Sequence, residues 1–422
     1  MSLRGKKEEG PSPDGRDFET EVGRLTVPFM KSATKNLKPK EMVVSTSFRE
    51  LSLRLAARMS YSESAAFLGR VLHRGESNRI VSMTHRNRVE REGKMLMEEY
   101  ASISETVLSK YDMTSGCGAP QDGACFPRNV SHPVLPGCVD RATAESISSA
   151  YNKGRSPEAS MKDSERMASV EATPEDVVYV SVDDIGVKRQ KESRSPGSER
   201  ESKYVENTVV HIQSGESTYC LTAVGMQKAF RLLLAFLLRN NLLVDKRLVF
   251  ITDGATNIRE NIAKFFGFRQ YTLLLDWLHL EKKCKEYLSM AIKGSKGEKT
   301  AVRNTLHSML WVGNVEDAKN YLRKLDDKLL KNKGKVSELI DYLERKENHI
   351  PCYALRKALG LRNSSNPVEK ANDICVAKRQ KHNGMSWSPG GSAALAVIST
   401  ASSNGELAQW LNNRTLPFKM VA

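Results

Sequence analysis

The sequence predicts a mixed α/β core that is interrupted by an all-α insertion and preceded by a module of short helices. Between residues 177 and 275, β-rich runs alternate with amphipathic helices, as in a layered α/β domain. Residues 280–362 lack strand-like runs and are rich in charge, which favours helices only. Three short amphipathic segments within residues 47–92 predict the N-terminal helices.

Length and charge narrow the class of protein. A chain of 422 residues allows two or three domains, and a net charge of +15 favours a polyanionic partner, although an ordinary basic protein is an equal alternative. No run approaches the roughly 18 apolar residues of a membrane span, and the first residues lack the apolar core of a signal peptide. The odd number of cysteines, seven, argues against a disulfide scaffold. We therefore expect a cytoplasmic protein without a membrane partner.

The N-terminal quarter divides into an irregular segment, residues 1–44, and a helical module, residues 45–111. The first helix places four apolar side chains on one face: Phe48, Leu51, Leu55 and Met59. A second helix follows Ser60, and an arginine-rich third helix covers residues 82–92. This order is typical of a helix-turn-helix module, and a small bundle with a solvated charged face is the alternative. In the helix-turn-helix reading four side chains would face DNA: Thr84, His85, Arg86 and Arg88.

Residues 112–172 are rich in Gly, Pro and Ser and predict a linker. Cys117, Cys125, His132 and Cys138 lie in this segment, so a zinc site is conceivable. The paired CxxC spacing of structural zinc sites is missing, which makes the linker the better interpretation.

Carboxylates accompany three of the predicted core strands, in residues 173–279. The strand-like runs are 177–189, 247–251 and 271–275. Their acids are Asp183 and Asp184 in the first run, Asp253 after the second and Asp276 after the third, followed by His279. Acids at one edge of a sheet need a cation or hydrogen-bond donors, and oxygen ligands suit a hard divalent metal. The choice between Asp183 and Asp184 stays open.

The element order from residue 177 is three strands, a helix, a strand, a helix and a strand, which is the order of an RNase H-like sheet of the retroviral-integrase type. After the helical insertion, residues 363–412 complete the core, and residues 413–422 form a tail. The helix that opens at Asn366 and Pro367 carries Glu369 near its start. It continues into the basic residues Lys378, Arg379 and Lys381.

This set of residues suits phosphodiester cleavage. Two Mg²⁺ or Mn²⁺ ions roughly 3.5–4 Å apart can align a nucleophile and stabilise the leaving oxyanion, and acids from different elements can hold them. Asp183, Asp253 and Glu369 are the candidate ligands, and the three basic residues could bind the DNA backbone. Each acid has a structural alternative: a turn for Asp253, a helix cap for Glu369 and a hydrogen bond to His279 for Asp276.

Four segments together resemble bacterial insertion-sequence transposases with a DDE site, of the Mutator-like group: VSVDDIGVKRQ (180–190), VFITDGA (249–255), LLDWLH (274–279) and NPVEKANDICVAKRQKHNGMSWSPGG (366–391). The resemblance covers about residues 45–410. It implies that Asp183, Asp253 and Glu369 are the three catalytic acids. Asp276 and His279 match the group's Asp/Cys-x-x-His signature, which follows the second acid. Trp387 matches a tryptophan after the glutamate helix that is implicated in binding displaced or hairpin DNA bases in related enzymes.

The resemblance implies a DNA transposase that cuts element ends and joins 3′-hydroxyl ends to target DNA. Its partners would be the terminal inverted repeats of the element, the target DNA and a second copy of the chain in a dimer or larger synapse. The protein would lie in the bacterial cytoplasm, associated with the nucleoid. Two alternatives are a catalytically inactive, transposon-derived DNA-binding protein and a metal-dependent nuclease without strand transfer.

Overall fold

A computed structural model describes residues 46–71, 81–111, 135–162, 170–191, 203–381 and 384–420, and the backbone of four short strands before residue 128. These strands form two antiparallel pairs: β1 (Gly15–Thr20) with β2 (Gly23–Pro28), and β3 (Met113–Thr114) with β4 (Phe126–Pro127). The β1–β2 hairpin lies where the sequence predicted irregular structure. None of the described helices is long and apolar enough to cross a membrane.

Three helices follow in the N-terminal module: α1 (Thr46–Ala56), α2 (Tyr61–Val71) and α3 (Ser82–Leu108). The third helix is 27 residues long, far beyond the predicted end at residue 92. Its buried positions recur every three or four residues, from His85 through Val89, Glu92 and Leu96, so one whole face is covered by protein.

The predicted linker contains packed structure as well. Helix α4 (Arg141–Asn152) begins at Asp140, whose side chain accepts a hydrogen bond from the backbone N–H of Thr143. Ala144 and the neighbouring Met161 belong to the same hydrophobic cluster as Tyr179 and Val249 of the core sheet. The linker prediction therefore does not hold for residues 135–162.

The core is a five-stranded mixed sheet. Its strands are β5 (Val177–Lys188), β6 (Tyr204–Ser214), β7 (Ser217–Val224), β8 (Arg247–Thr252) and β9 (Tyr271–Leu275). They lie in the order β7-β6-β5-β8-β9, with β5, β6 and β7 antiparallel and with β8 and β9 parallel to β5 and to each other. The mixed α/β class predicted from the sequence is confirmed.

Helices cover both faces of the sheet. Helix α5 (Met226–Arg239) and α6 (Thr256–Phe266) cover one face, where the ring of Phe236 stacks on that of Tyr219. The other face is covered by α12 (Asn366–Asn372), a π-helical turn (Asp373–Ala377), α13 (Lys378–Gln380) and α14 (Pro389–Ser403), followed by α15 (Leu407–Asn413). Strand β5 continues past its two acids to Lys188, paired with β6, and so occupies almost all of the predicted strand-like run 177–189.

Residues 277–358 form the all-helical segment between β9 and the last core helices. It comprises α7 (Trp277–Ala291), α8 (Lys296–Trp311), α9 (Val315–Arg323), α10 (Lys333–Lys346) and α11 (Tyr353–Ala358). These helices share a hydrophobic cluster of their own, which meets the sheet at Leu275. The Tyr353 hydroxyl donates a hydrogen bond of 2.7 Å to the backbone oxygen of Leu275, so the end of the segment returns to its starting strand.

Candidate active site

Asp183 lies on β5, and Asp253 directly follows β8, the neighbouring parallel strand. The register ends with Ser181 of β5 beside Ile251 of β8, and each acid lies two residues beyond this last pair. Both side chains are half-buried. Burial and the charge of Asp253, with a smaller contribution from Asp184, raise the pKa of Asp183 to about 6. The two carboxylates therefore form an electrostatically coupled pair.

The neighbouring Asp184 faces the other way. Successive side chains of a strand point to opposite faces, so Asp183 shares a face with Asp253 and Asp184 does not. The Oδ1 atom of Asp184 accepts a hydrogen bond of 2.6 Å from the hydroxyl of Thr208 on β6. Burial also raises the pKa of Asp184. The geometry favours Asp183 over Asp184 as the partner of Asp253.

Hydrogen bonds orient both members of the pair. Asp183 Oδ1 accepts from the backbone N–H of Asp184 at 2.9 Å, and its Oδ2 accepts from Nδ2 of Asn372 at 2.5 Å. Asp253 Oδ1 accepts from the backbone N–H of Ala255 at 2.8 Å. Each carboxylate oxygen has two lone pairs, so these contacts leave capacity for a further ligand.

Glu369 lies on α12, the helix that also carries Asn372. Its side chain is exposed, one helical turn before the residue that binds Asp183. The bond to Asp276 is the main cause of the raised pKa of His279, and the charges of Asp253 and Glu369 add to it, so both acids lie near enough to act on this imidazole. Glu369 thus belongs to the same region as the pair, on a different element.

Asp276 and His279 form a buried connection at the start of α7. The Asp276 carboxylate is fully buried; Oδ1 accepts from the backbone N–H of Leu278 at 2.8 Å, and Oδ2 accepts from the backbone N–H and the hydroxyl of Ser365. His279 Nδ1 lies 3.4 Å from Asp276 Oδ2. Burial acts to raise the pKa of Asp276, but the bonds to His279 and Ser365 outweigh it and lower the pKa. The bond to Asp276 raises the pKa of His279.

This connection positions the helix of Glu369. Ser365 immediately precedes α12, so its bonds to Asp276 hold the start of that helix against the end of β9. The all-helical segment contacts the residue that follows Asp253: Lys346 Nζ of α10 donates a hydrogen bond of 2.6 Å to the backbone oxygen of Gly254. Elements far apart in the sequence therefore fix the surroundings of the candidate acids.

The donor set suits a hard cation only in part. Two half-buried carboxylates are oxygen ligands of the kind Mg²⁺ prefers, and Mg²⁺ is commonly held by one or two carboxylates together with substrate phosphates. Among the described residues, however, no three His, Cys, Asp or Glu side chains are grouped so as to hold one ion. Asp183 and Asp253 fit such an ion, and Glu369 is not assembled with them.

Several predicted DNA contacts are buried in protein. His85 is fully buried, with Nδ1 3.0 Å from the hydroxyl of Ser52, and burial lowers its pKa to about 4. Arg379 is 3% exposed and donates from Nε to the backbone oxygen of Ala56 at 2.8 Å. Its guanidinium carbon lies 4.8 Å from the ring centre of Trp387, which is itself buried. The predicted contacts of these three side chains with DNA do not agree with the structure.

The other predicted DNA contacts differ in exposure. Thr84, Lys378 and Lys381 are exposed. Arg86 forms an ion pair of 2.8 Å with Glu90, and the guanidinium of Arg88 lies over the ring of Phe48. The two lysines lie close in sequence to the π-helical turn that follows α12, so they are the predicted contacts nearest to the Glu369 helix.

Sequence reasoning did not identify Asn372, Ser365, Thr208 or Lys346 as site residues. Asn372 had a usable signal, because a residue three positions after Glu369 lies on the same side of a helix. The other three had none, since their contacts join strands and helices that are distant in sequence. Of the proposed zinc ligands, Cys117, Cys125 and His132 lie outside the described residues, and Cys138 is a free cysteine.

No protein-family model matches the chain, and no curated protein sequence matches it. Among solved structures, the chain is similar to a Drosophila P element transposase strand transfer complex at 10% sequence identity and a TM-score of 0.24. That alignment covers 92% of this chain and 86% of the other.

Proposed function

We propose that the chain is a DDE transposase, a DNA-cutting and DNA-joining enzyme with an RNase H-like core. One observation carries the proposal: Asp183 and Asp253 each lie two residues beyond the last paired residues of β5 and β8, and the Glu369 helix is bound to Asp183 through Asn372. The strand order, three antiparallel strands followed by two parallel ones, is compatible with an RNase H-like sheet. The net charge of +15 suits a nucleic-acid substrate.

In this proposal Asp183 and Asp253 hold Mg²⁺ or Mn²⁺, and Glu369 is the third acid. Bound ions would activate the attacking water or 3′-hydroxyl and stabilise the leaving oxyanion. The chain's own residues orient the ligands: the N–H of Asp184 and the Asn372 amide fix Asp183, and the N–H of Ala255 fixes Asp253. The bonds between Asp276 and Ser365 keep the Glu369 helix at the same end of the sheet.

Exposed lysines near the site would bind the DNA backbone. Lys378 and Lys381 are exposed beyond the π-helical turn and can contact phosphates, whereas Arg379 supports the structure beneath them. The DNA partners would be the ends of a mobile element and a target duplex. Because two ends must be joined in one reaction, we propose that a dimer or larger assembly of this chain carries out the reaction.

The test compares acid-to-amide variants on DNA that contains the sequences flanking the gene. Asp183→Asn, Asp253→Asn and Glu369→Gln should each reduce Mg²⁺-dependent cleavage by at least about 1,000-fold, because an amide cannot supply the ligand charge. DNA affinity should stay within about twofold, since most of it comes from phosphate contacts elsewhere. Asp373→Asn is the matched control, because it removes an exposed acid from the same helical stretch and should cleave normally.

Undiminished cleavage by the three variants would refute the site. Cleavage by the wild-type protein without joining of 3′ ends would indicate a nuclease. Binding without cleavage in Mg²⁺ or Mn²⁺ would indicate a DNA-binding protein only.

A further inference from the structure

Asn372 makes a direct contact with the first acid of the pair. Its Nδ2 atom lies 2.5 Å from Oδ2 of Asp183, and the residue is only 6% exposed. An ionised carboxylate only accepts hydrogen bonds, so the amide must present its nitrogen to Asp183. With the Asp184 N–H on Oδ1, both oxygens of Asp183 are then held by a donor.

The other end of the same amide is left without a partner. Oδ1 of Asn372 is buried and forms no hydrogen bond with any described residue. An unpaired buried acceptor is unfavourable, and an apolar side chain of similar volume would fill this space without it. A packing role therefore does not explain an asparagine here, whereas donation to Asp183 does.

The position of Asn372 on α12 connects Asp183 with the helix that carries Glu369. Asn372 is the last residue of α12 and lies one turn after Glu369, on the same side of the helix. The π-helical turn Asp373–Ala377 begins directly after it, and such turns often occur at functional sites. The hydrogen bond thus ties the first acid to the element that carries the third.

We propose that Asn372 is a positioning residue for the candidate metal site, one that fixes the carboxylate of Asp183 relative to the Glu369 helix. This role rests on the proposed function, since it requires Asp183 to bind a cation. Partners that orient a metal-binding carboxylate without touching the metal typically change metal affinity by about 10–100-fold when they are removed. Loss of the Asn372 amide should therefore weaken cation binding by about that factor.

Mn²⁺ binding to the full-length protein, measured without DNA from the electron paramagnetic resonance signal of the free ion, tests the proposal. Asn372→Leu keeps the number and branching of the side-chain heavy atoms and removes the donor. Asn372→Ala is a smaller variant, used if the Asn372→Leu protein does not fold. Both should raise the Kd for Mn²⁺ about 10–100-fold. Asp183→Asn should abolish the site. Asn366→Ala, an exposed asparagine at the start of the same helix, should bind as the wild type does.

Cleavage at increasing Mn²⁺ provides the second readout. If Asn372 acts by positioning Asp183, excess Mn²⁺ should restore most of the cleavage lost by Asn372→Leu, which a general structural defect would not allow. Wild-type Mn²⁺ affinity in a folded Asn372→Leu protein would overturn the role of Asn372 while leaving the proposed function intact. Absence of a Mn²⁺ site in the wild-type protein would overturn both.

Discussion

Asp183 is held in a setting that disfavours its charge. Burial and Asp253 raise its pKa from 3.8 to about 6, so the folded protein binds this proton more tightly than the unfolded chain does. Well below pH 3.8 the group is protonated in both states and has no effect. As pH rises from there to about 6, the unfolded chain loses the proton first, so stability falls, and the penalty is complete above that range.

Asp183→Asn should therefore stabilise the metal-free protein at neutral pH. We expect a gain of about 1–3 kcal/mol at pH 7.5 and only about 0.5 kcal/mol at pH 4, because the variant removes a group that is unfavourable only when it is ionised. Thermal unfolding in EDTA at both pH values measures this gain in stability. Asp373→Asn, which changes an exposed acid, is the control. An Asp183→Asn protein that is less stable than wild type at pH 7.5 would contradict the coupling of the two acids.

Asp276 shows what the sequence could not reveal about single residues. Asp183, Asp253 and Asp276 all accompany β-rich runs, so the pattern predicts three similar acids. The structure separates them by their partners: Asp276 is fully buried and bonded to Ser365, whereas Asp183 is half-buried and its pKa is raised by burial and by the charge of Asp253. That distinction depends on a residue 89 positions away, which no local pattern contains.

At the scale of elements, helix α3 packs tightly on α14. A Cβ atom added at Gly93 would lie 2.5 Å from the Cα of Ala394, which is closer than real contacts allow. Because the clash is with backbone, a side chain at Gly93 requires the two helices to separate. The absence of a side chain at Gly93 is therefore a requirement of this crossing.

Gly93→Ala should destabilise the protein by about 1–3 kcal/mol, the usual cost of overpacking. Gly69→Ala is a matched control in helix α2, where no atom lies within 4 Å of the added Cβ. It should be neutral or stabilise by up to about 1 kcal/mol, since alanine is the better helix former. Denaturant unfolding measures both changes, and equal stabilities of the two variants would argue against the close crossing.

The same helix explains why His85, one of the predicted DNA contacts of the N-terminal module, is buried. The arginines of residues 82–92 suggested a recognition helix, and the local pattern did predict a helix there. Tertiary packing decides which face is free, and it buries His85 and Glu92, the latter paired with Arg414 at 2.6 Å. Helix type can be read from a local pattern, but the identity of the buried face depends on partners elsewhere in the chain.

At the scale of the whole molecule, the N-terminal helices and the core sheet share one hydrophobic cluster. Leu53 and Val89 belong to the same cluster as Val180 and Leu395. Polar contacts cross the same boundary, including the hydrogen bond of 2.7 Å from the hydroxyl of Tyr100 to Oε2 of the buried Glu406. The sequence predicted a helix-turn-helix module at residues 45–111, and in the structure the helices of this module pack into the core.

Removal of residues 1–111 should therefore prevent the rest of the chain from folding stably. The truncated chain would expose the apolar surface that the N-terminal helices cover and leave Glu406 without the Tyr100 hydroxyl. Circular dichroism should show no cooperative thermal transition for residues 112–422, whereas a chain beginning at residue 46 should retain a single transition. When a peptide of residues 46–111 is added to the truncated chain, the cooperative transition should return in part, because the apolar contacts re-form on association. A truncated chain that unfolds as cooperatively as the whole protein would show that the sheet and its helices are stable alone, and the N-terminal module would then be an independent domain as its sequence suggested.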